Sequence, residues 1–302
     1  MASTSSTQPA TAPKIILTPV LTLAGQDYRM QSISYFPDGK QMISGSTDKT
    51  TRRWDLHAGK EIEGVRNVCE WDVSAVVVSK DGRWVVTAGG DEECGELKAC
   101  EVQTEMVKKF QGHSRKVTCV DISADCVLLA SGSEDNTTKI WSMDTGKLVA
   151  GPFKSDDLVG AIRFSRDSKK LAINSHMAAT TIYEFDASTL GTLGAPFEGH
   201  TMVIFGLALS SDDALLVSTS YDNTIKLWAF ESRQLLASFP AVRPNIVALS
   251  PDSSQLAYTT TRIPGSGDNN IIICNIPPGI LSSIGLAQEA SVCICCIYLS
   301  FI

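Results

Sequence analysis

Two stretches of this 302-residue chain set a histidine, a serine and an aspartate at matching offsets: His113, Ser131 and Asp135, then His200, Ser218 and Asp222. Each set is extended by a tryptophan, Trp141 and Trp228. A third set keeps Ser44, Asp48 and Trp54, with Gln26 in the histidine slot. Carboxylate, imidazole and hydroxyl are the groups of a nucleophilic relay, in which the acid orients the ring and the ring takes the hydroxyl proton. The repetition argues against that chemistry. An active site is seldom built three times in one chain, and a tryptophan belongs in a sheet interior. The same four types also form a self-satisfying hydrogen-bond chain. Ionised Asp accepts, neutral His accepts at one ring nitrogen and donates at the other, Ser does both, and the indole only donates. Each neutral link adds ~0.5–1.5 kcal/mol, and links to the charged Asp add more. These twelve residues are read as structural tetrads, and no catalytic residue is assigned.

The elements that position them repeat. The three tryptophans are two periods apart, because a second marker recurs about every 43 residues: the turn Ser/Phe-x-Asp at Asp38, Asp81, Asp125, Asp167, Asp212 and Asp252. Six copies cover about Gly25 to Ile276. Within one copy, "VTCVDIS" (Val117–Ser123), "CVLLASGS" (Cys126–Ser133), "NTTKIWSMD" (Asn136–Asp144) and "GKLVAGPF" (Gly146–Phe153) alternate between β-rich runs and polar turns. That pattern predicts four short antiparallel strands per copy. One such sheet buries little alone, so successive sheets must stack. The 3.6-residue apolar spacing of a helical repeat is absent.

On these residues the chain resembles the WD40 family of β-propellers. Gly112-His113 and Gly199-His200 are similar to the family's GH pair, and Trp54-Asp55 is its WD dipeptide. The resemblance implies an all-β fold, a ring of about six four-stranded blades. Seven is the commonest family number, which leaves room for a missing copy. It also implies closure by an N-terminal strand, assigned to Thr18–Gly25 beside Ile271–Ile276. The expected division is a disordered tail over 1–13, the propeller over 14–283 and an apolar tail over 284–302. The even copies depart from the tetrad. Copy two has Thr87 and Asp91 but an inserted "EEC" and Cys100 in the Trp slot. Copy four has Ile173, Met177 and Tyr183 in the Ser, Asp and Trp slots. Copy six has Tyr258 and Cys274 there, with "RIPGSGD" inserted before Asp268. These blades are expected to rely on packing and to be softer. WD40 proteins act mostly as non-catalytic scaffolds for protein partners. The resemblance therefore implies a partner-binding face at the channel entrance, with Tyr28, Arg29, Arg115, Lys116, Glu134 and Tyr221 as candidates.

Composition narrows the classes. A formal net charge of −7 argues against a general nucleic-acid or anionic-membrane binder. No metal-ligand spacing and no cofactor motif is visible. Nine cysteines without a matching histidine spacing read as reduced thiols. Met1–Pro13 shows no secretory apolar run, so a cytoplasmic or nuclear protein is expected, either a monomer or a subunit of a larger complex. Two places read as irregular. The turn "NSHMAAT" in copy four could join two ancestral repeats, and "SVCICCIYLSFI" (Ser291–Ile302) is almost wholly apolar. The other functions weighed are a recognition fragment of a larger fungal-type NTPase sensor, a degenerate gene remnant, and a propeller hydrolase. The last would have to use His57 or His176.

Overall fold

A computed structural model describes residues 16–26, 28–62, 70–155, 158–175, 180–260 and 269–285. The 1–13 tail, His176 and Met177 of the copy-four turn, the insertion around Asp268 and the 291–302 segment lie outside the described residues.

The Ser-x-Asp marker is a turn with its own chemistry. Ser123 Oγ donates to Asp125 Oδ1 at 2.5 Å, that carboxylate accepts the Val127 N–H at 3.0 Å, and the Leu128 N–H donates back to Ser123 Oγ at 2.8 Å. Ser79/Asp81, Ser165/Asp167, Ser210/Asp212 and Ser250/Asp252 make the same Ser-to-Asp bond. The residue after each Asp is left-handed, with φ between 58° and 71° at Gly39, Gly82, Cys126, Ser168, Asp213 and Ser253. Four of these carry a Cβ, at a cost of about 1 kcal/mol or more each. The three turn bonds offset that cost and fix where each first hairpin reverses.

The chain starts with β1 (Pro19–Gln26). Blade 1 follows as β2 (Met30–Tyr35), β3 (Gln41–Ser46), β4 (Thr51–Asp55) and β5 (Lys60–Ile62). Blade 2 holds β6 (Val73–Val78), β7 (Trp84–Gly90), β8 (Gly95–Glu101) and β9 (Val107–Lys109). Blade 3 holds β10 (Val117–Ile122), β11 (Leu128–Ser133), β12 (Thr137–Ser142) and β13 (Leu148–Lys154). Blade 4 holds β14 (Val159–Phe164), β15 (Lys170–Ser175), β16 (Thr181–Asp186) and β17 (Thr192–Glu198). Blade 5 holds β18 (Ile204–Leu209), β19 (Leu215–Ser220), β20 (Thr224–Ala229) and β21 (Gln234–Pro240). Blade 6 has β22 (Pro244–Leu249), β23 (Gln255–Thr260) and β24 (Asn269–Asn275), and β1 is its fourth strand. β1 runs antiparallel to β24, with Leu21 opposite Ile273 and Leu23 opposite Ile271. The protein is thus a six-bladed β-propeller closed by its N-terminal strand. A short helix, α1 (Pro278–Ser283), follows and sinks Ile280 into the core between blades 5 and 6. The strand periodicity did not anticipate it.

The core lies between blades rather than inside them. Trp84 and Val86 of blade 2 pack with Leu129 and Trp141 of blade 3. Ile162 and Leu171 of blade 4 pack with Cys119 and Ile140 of blade 3. Leu23 and Ile271 of blade 6 pack with Met42 and Trp54 of blade 1. No blade is buried without its neighbours, which is why the ring must close. Close approach at these junctions explains Gly132, where an added Cβ would meet Val159 Cγ1 at 2.5 Å. Polar side chains also cross the junctions near the axis. Ser32 Oγ accepts the Val76 N–H at 2.9 Å, Thr118 Oγ1 donates to Val159 O at 2.5 Å, Asn174 Nδ2 to Ile204 O at 2.6 Å and Asn245 Nδ2 to Met30 O at 3.3 Å. The innermost strands leave a central channel of about 350 Å³, lined largely by small side chains such as Ser34, Ala75, Gly160 and Ala208. No helix among the described residues is long and apolar enough to cross a membrane.

Candidate partner-binding face

In blade 3 the Trp141 indole N–H donates to Ser131 Oγ at 2.8 Å, so the serine proton is free for His113 Nε2 at 2.7 Å. His113 Nδ1 then carries its proton toward Asp135 Oδ2 at 2.9 Å. This is the one neutral tautomer that satisfies all four groups. Blade 5 repeats it, with Trp228–Ser218 at 2.9 Å, Ser218–His200 at 2.7 Å and His200–Asp222 at 2.8 Å. In blade 1 Trp54 donates to Ser44 at 2.9 Å and Asp48 accepts Thr50. Gln26 ends β1, and its side chain lies outside the described residues. Burial holds His113 and His200 below the ordinary histidine value, against the pull of their aspartates. Burial also raises the Asp135 carboxyl, but the Thr137 hydroxyl and His113 outweigh it and bring the group down to about 2.

Two further bonds join the tetrad turns of blades 3 and 5 to the surface. Asp135 Oδ2 accepts the Ser114 N–H and Asp222 Oδ2 the Thr201 N–H, both at 3.1 Å. Ser133 Oγ donates to Arg115 O and Ser220 Oγ to Met202 O, both at 2.9 Å. In blades 3 and 5 these bonds therefore fix the segment that enters the innermost strand. Lys139 was not singled out from the sequence. It is buried beside the blade 3 tetrad, with Nζ 3.0 Å from Thr137 Oγ1 and 3.4 Å from Asp135 Oδ2.

The even blades hold together differently. In blade 4 the structure corrects the expected Trp slot: Tyr183 faces Ile173 and is 38% exposed, while Phe185, opposite Leu171, holds the place that Trp141 holds opposite Leu129, because this copy is two residues longer between its second and third strands. Glu184 instead lies buried, with Lys170 Nζ at 2.8 Å and the Arg233 guanidinium of blade 5 against its second oxygen. In blade 2 Asp91 accepts the Glu93 and Cys94 N–H groups of its own insertion.

All six candidate face residues fall at the tetrad end of the ring. Arg29 O accepts the Thr47 N–H, tying Tyr28 and Arg29 to the second turn of blade 1. Arg115, Lys116 and Glu134 meet where the Glu134 N–H donates to Lys116 O. Tyr221 is joined to Val203 O through its N–H, and its ring stands edge-on to Phe205, a channel residue, at 5.9 Å. Tyr28 and Tyr221 are 59% and 50% exposed. The sequence reading missed Trp71, Met202 and Val242, which are exposed at the same entering position of their blades. That position recurs in every copy, so the period could have located them. His57 sits in an exposed turn capped by Asp55, three residues after Trp54. Among the described residues no three His, Cys, Asp or Glu side chains cluster to hold a metal ion.

Comparison with known proteins follows the tetrads. The family model "WD domain, G-beta repeat" matches residues 17–55, 104–142 and 191–229, the three segments that end on Asp55, Ser142 and Ala229 of the odd blades. The chain is similar to Actin-interacting protein 1 of Drosophila melanogaster, 28% identical over 210 residues, 68% of this chain and 34% of that protein. It is similar to the guanine nucleotide-binding protein subunit beta of Nicotiana plumbaginifolia, 25% identical over 219 residues, 69% of this chain and 58% of that protein. A third relative is apoptotic protease-activating factor 1 of Rattus norvegicus, 27% identical over 237 residues, 67% of this chain and 18% of that protein. The chain spans less than two thirds of each.

Proposed function

The chain is a WD40-repeat β-propeller, and on that premise we propose that it is a non-catalytic protein-interaction platform whose partner docks on the tetrad face. WD40 propellers generally mediate contacts between proteins, and the relatives above are of that kind. The observation that carries the reading is the pair Tyr28 and Tyr221. Both rings are half exposed or more, yet both sit on segments pinned by backbone bonds. A rigid, exposed aromatic loses little entropy on binding, which is what an interface anchor requires. Arg115, Lys116 and Glu134 supply charged rim positions on blade 3. We place the protein in the cytoplasm or nucleus, as a single propeller or as one subunit of a larger assembly.

The test is affinity capture from native lysate with the full chain, read by mass spectrometry. A single stoichiometric partner that is lost with Tyr221→Ala and weakened with Arg115→Ala supports the platform. Turnover of a small ester or glycoside by the purified chain, abolished by His57→Ala or His176→Ala, would overturn it.

A further inference from the structure

Strand register puts one channel-lining residue of each blade at the same height. They are Ser34 opposite Ile43, Val77 opposite Val86, Asp121 opposite Ala130, Arg163 opposite Ala172, Ala208 opposite Val217 and Ala248 opposite Ala257. Four of these are uncharged. Blades 3 and 4 put an acid and a base there, side by side.

The fold does not need those charges. In blade 1 Ser34 Oγ accepts the Val78 N–H of blade 2 at 3.1 Å. Asp121 Oδ2 makes the same bond to the Phe164 N–H of blade 4 at 2.7 Å. A serine therefore suffices for the junction, and Val77, Ala208 and Ala248 have no polar side chain to offer. Burial raises the Asp121 carboxyl above the ordinary aspartate value, although Arg163, the Phe164 N–H and Lys80 oppose the rise. A charge kept at such a cost without a structural need marks a candidate functional group.

Both groups keep bonding capacity. Arg163 Nη1 donates to Ile162 O at 2.6 Å, and its side chain makes no other hydrogen bond among the described residues. Most of its five N–H donors are thus open to the channel. No side chain bonds to the Asp121 carboxylate, and neither residue forms an ion pair among the described residues.

The charges around them are nearly balanced. Toward the turn end of the channel stand Lys80, Arg166, Asp125, Asp212 and Asp213. Asp213 takes the Arg166 N–H with both oxygens, at 2.9 and 2.8 Å, and Asp125 and Asp212 take the hydroxyls of their own turns. With Asp121 and Arg163 the lining holds three cations and four carboxylates. A plain anion and a plain cation each meet opposing charge there, whereas a molecule carrying one charge of each sign finds a partner for both.

We propose that the channel binds a free neutral α-amino acid, its carboxylate on the Arg163 guanidinium and its ammonium on Asp121. The two charges sit on one carbon, matching two groups held on neighbouring strands. Ser34, Val77, Ala208 and Ala248 leave an uncharged wall for the side chain. The channel volume of about 350 Å³ lies within the range of small-molecule sites, roughly 300–1,000 Å³. The site lies toward the opposite end of the innermost strands from the tetrad face and is independent of the platform reading.

The experiment is a thermal-shift screen of free amino acids on the purified full chain, followed by calorimetry near neutral pH. The titrants are L-valine and its two single-charge analogues, isovalerate and isobutylamine. L-valine should bind with a Kd below about 1 mM. Each analogue should bind about ten-fold more weakly or worse, having lost one charge-assisted bond. Arg163→Gln and Asp121→Asn should each weaken valine by about ten-fold as well. Asn keeps an oxygen for the Phe164 N–H, and unchanged melting temperatures will show that the ring stays closed. Ala248→Leu, across the channel from blade 3, should block binding without removing either charge. No binding of any amino acid up to about 10 mM, equal binding of either analogue, strongest binding of a charged amino acid, or indifference to Arg163→Gln and Asp121→Asn would overturn the proposal. The analogue comparison needs no variant, so it decides even where a substitution loosens the ring. Tyr221-dependent capture of a protein partner would be untouched by any of these results.

Discussion

Replacing Trp141 and Tyr183 in turn by Ala asks whether the tetrad carries stability that the even blades lack. Tyr183 lies on the third strand of the adjacent blade, two residues before Phe185, which holds the place that Trp141 holds in blade 3. Trp141 is 2% exposed, its ring stands edge-on to Phe110 and His113 at 6.0 Å each, and its N–H is bound to Ser131. Removing it opens a large cavity in the core between blades 2 and 3. Buried Trp→Ala changes cost about 3–5 kcal/mol, and Ser131 loses one of its two partners. Tyr183 is 38% exposed and touches Phe185 at 6.3 Å. Its removal should cost about 1 kcal/mol. For a chain of this length 1 kcal/mol moves the melting temperature by roughly 2 °C. The expected drops are therefore about 8 °C for Trp141→Ala and about 2 °C for Tyr183→Ala. Calorimetry gives the shifts, and hydrogen exchange locates them, with protection lost first in β11 and β12 for Trp141→Ala. Equal shifts, or a larger one for Tyr183→Ala, would refute the reasoning.

Acid should weaken the ring in two stages. His113 and His200 titrate below 6.5 in the folded state because burial opposes their charge, so the stability they contribute is full above 6.5 and is lost as pH falls through the folded values. Asp135 adds a second loss between 3.8 and about 2. Melting temperatures from pH 8 to pH 3, with histidine ring resonances whose titration midpoints fall below 6.5, check this; midpoints at or above 6.5 would contradict it. At the closure, Leu23→Ala should cost about 3 kcal/mol because Leu23 is buried between blades 6 and 1. Val20→Ala, on the same strand but half exposed, should cost little. Amide exchange along β24 should rise only for Leu23→Ala, and equal exchange in both variants would argue against a closing role for β1.

What was legible in the sequence is what repeats locally. The Ser-x-Asp turn needs three adjacent residues, so its spacing exposed six hairpins, and the tetrad recurs at fixed offsets because His113, Ser131, Asp135 and Trp141 all lie in one copy. The closing strand was legible because "TPVLTLAG" reads like the other fourth strands. The contacts between copies were not. Ser32, Thr118, Asn174 and Asn245 differ in type from blade to blade and reach partners on the neighbouring blade, so no period betrays them. The Glu184–Arg233 pair spans blades in the same way. Helix α1 escaped because a six-residue helix stabilised by one buried Ile280 has no periodicity to read. On the face, Tyr28 and Tyr221 were found from their neighbours in sequence.

Blades 1, 3 and 5, which keep the Trp-to-Ser bond of the tetrad, alternate with blades 2, 4 and 6, which lack it. Every blade that has lost its lock is therefore flanked by two that keep theirs. Substitutions can accumulate in an even blade without freeing two adjacent blades at once, so the ring can tolerate sequence drift in half of its copies. The same arrangement makes the odd blades intolerant: a change at Trp54, Trp141 or Trp228 would leave three consecutive blades unlocked. Random mutagenesis followed by selection for soluble protein should show that asymmetry as a sawtooth of tolerated substitutions along the chain, rising and falling with a period of two blades.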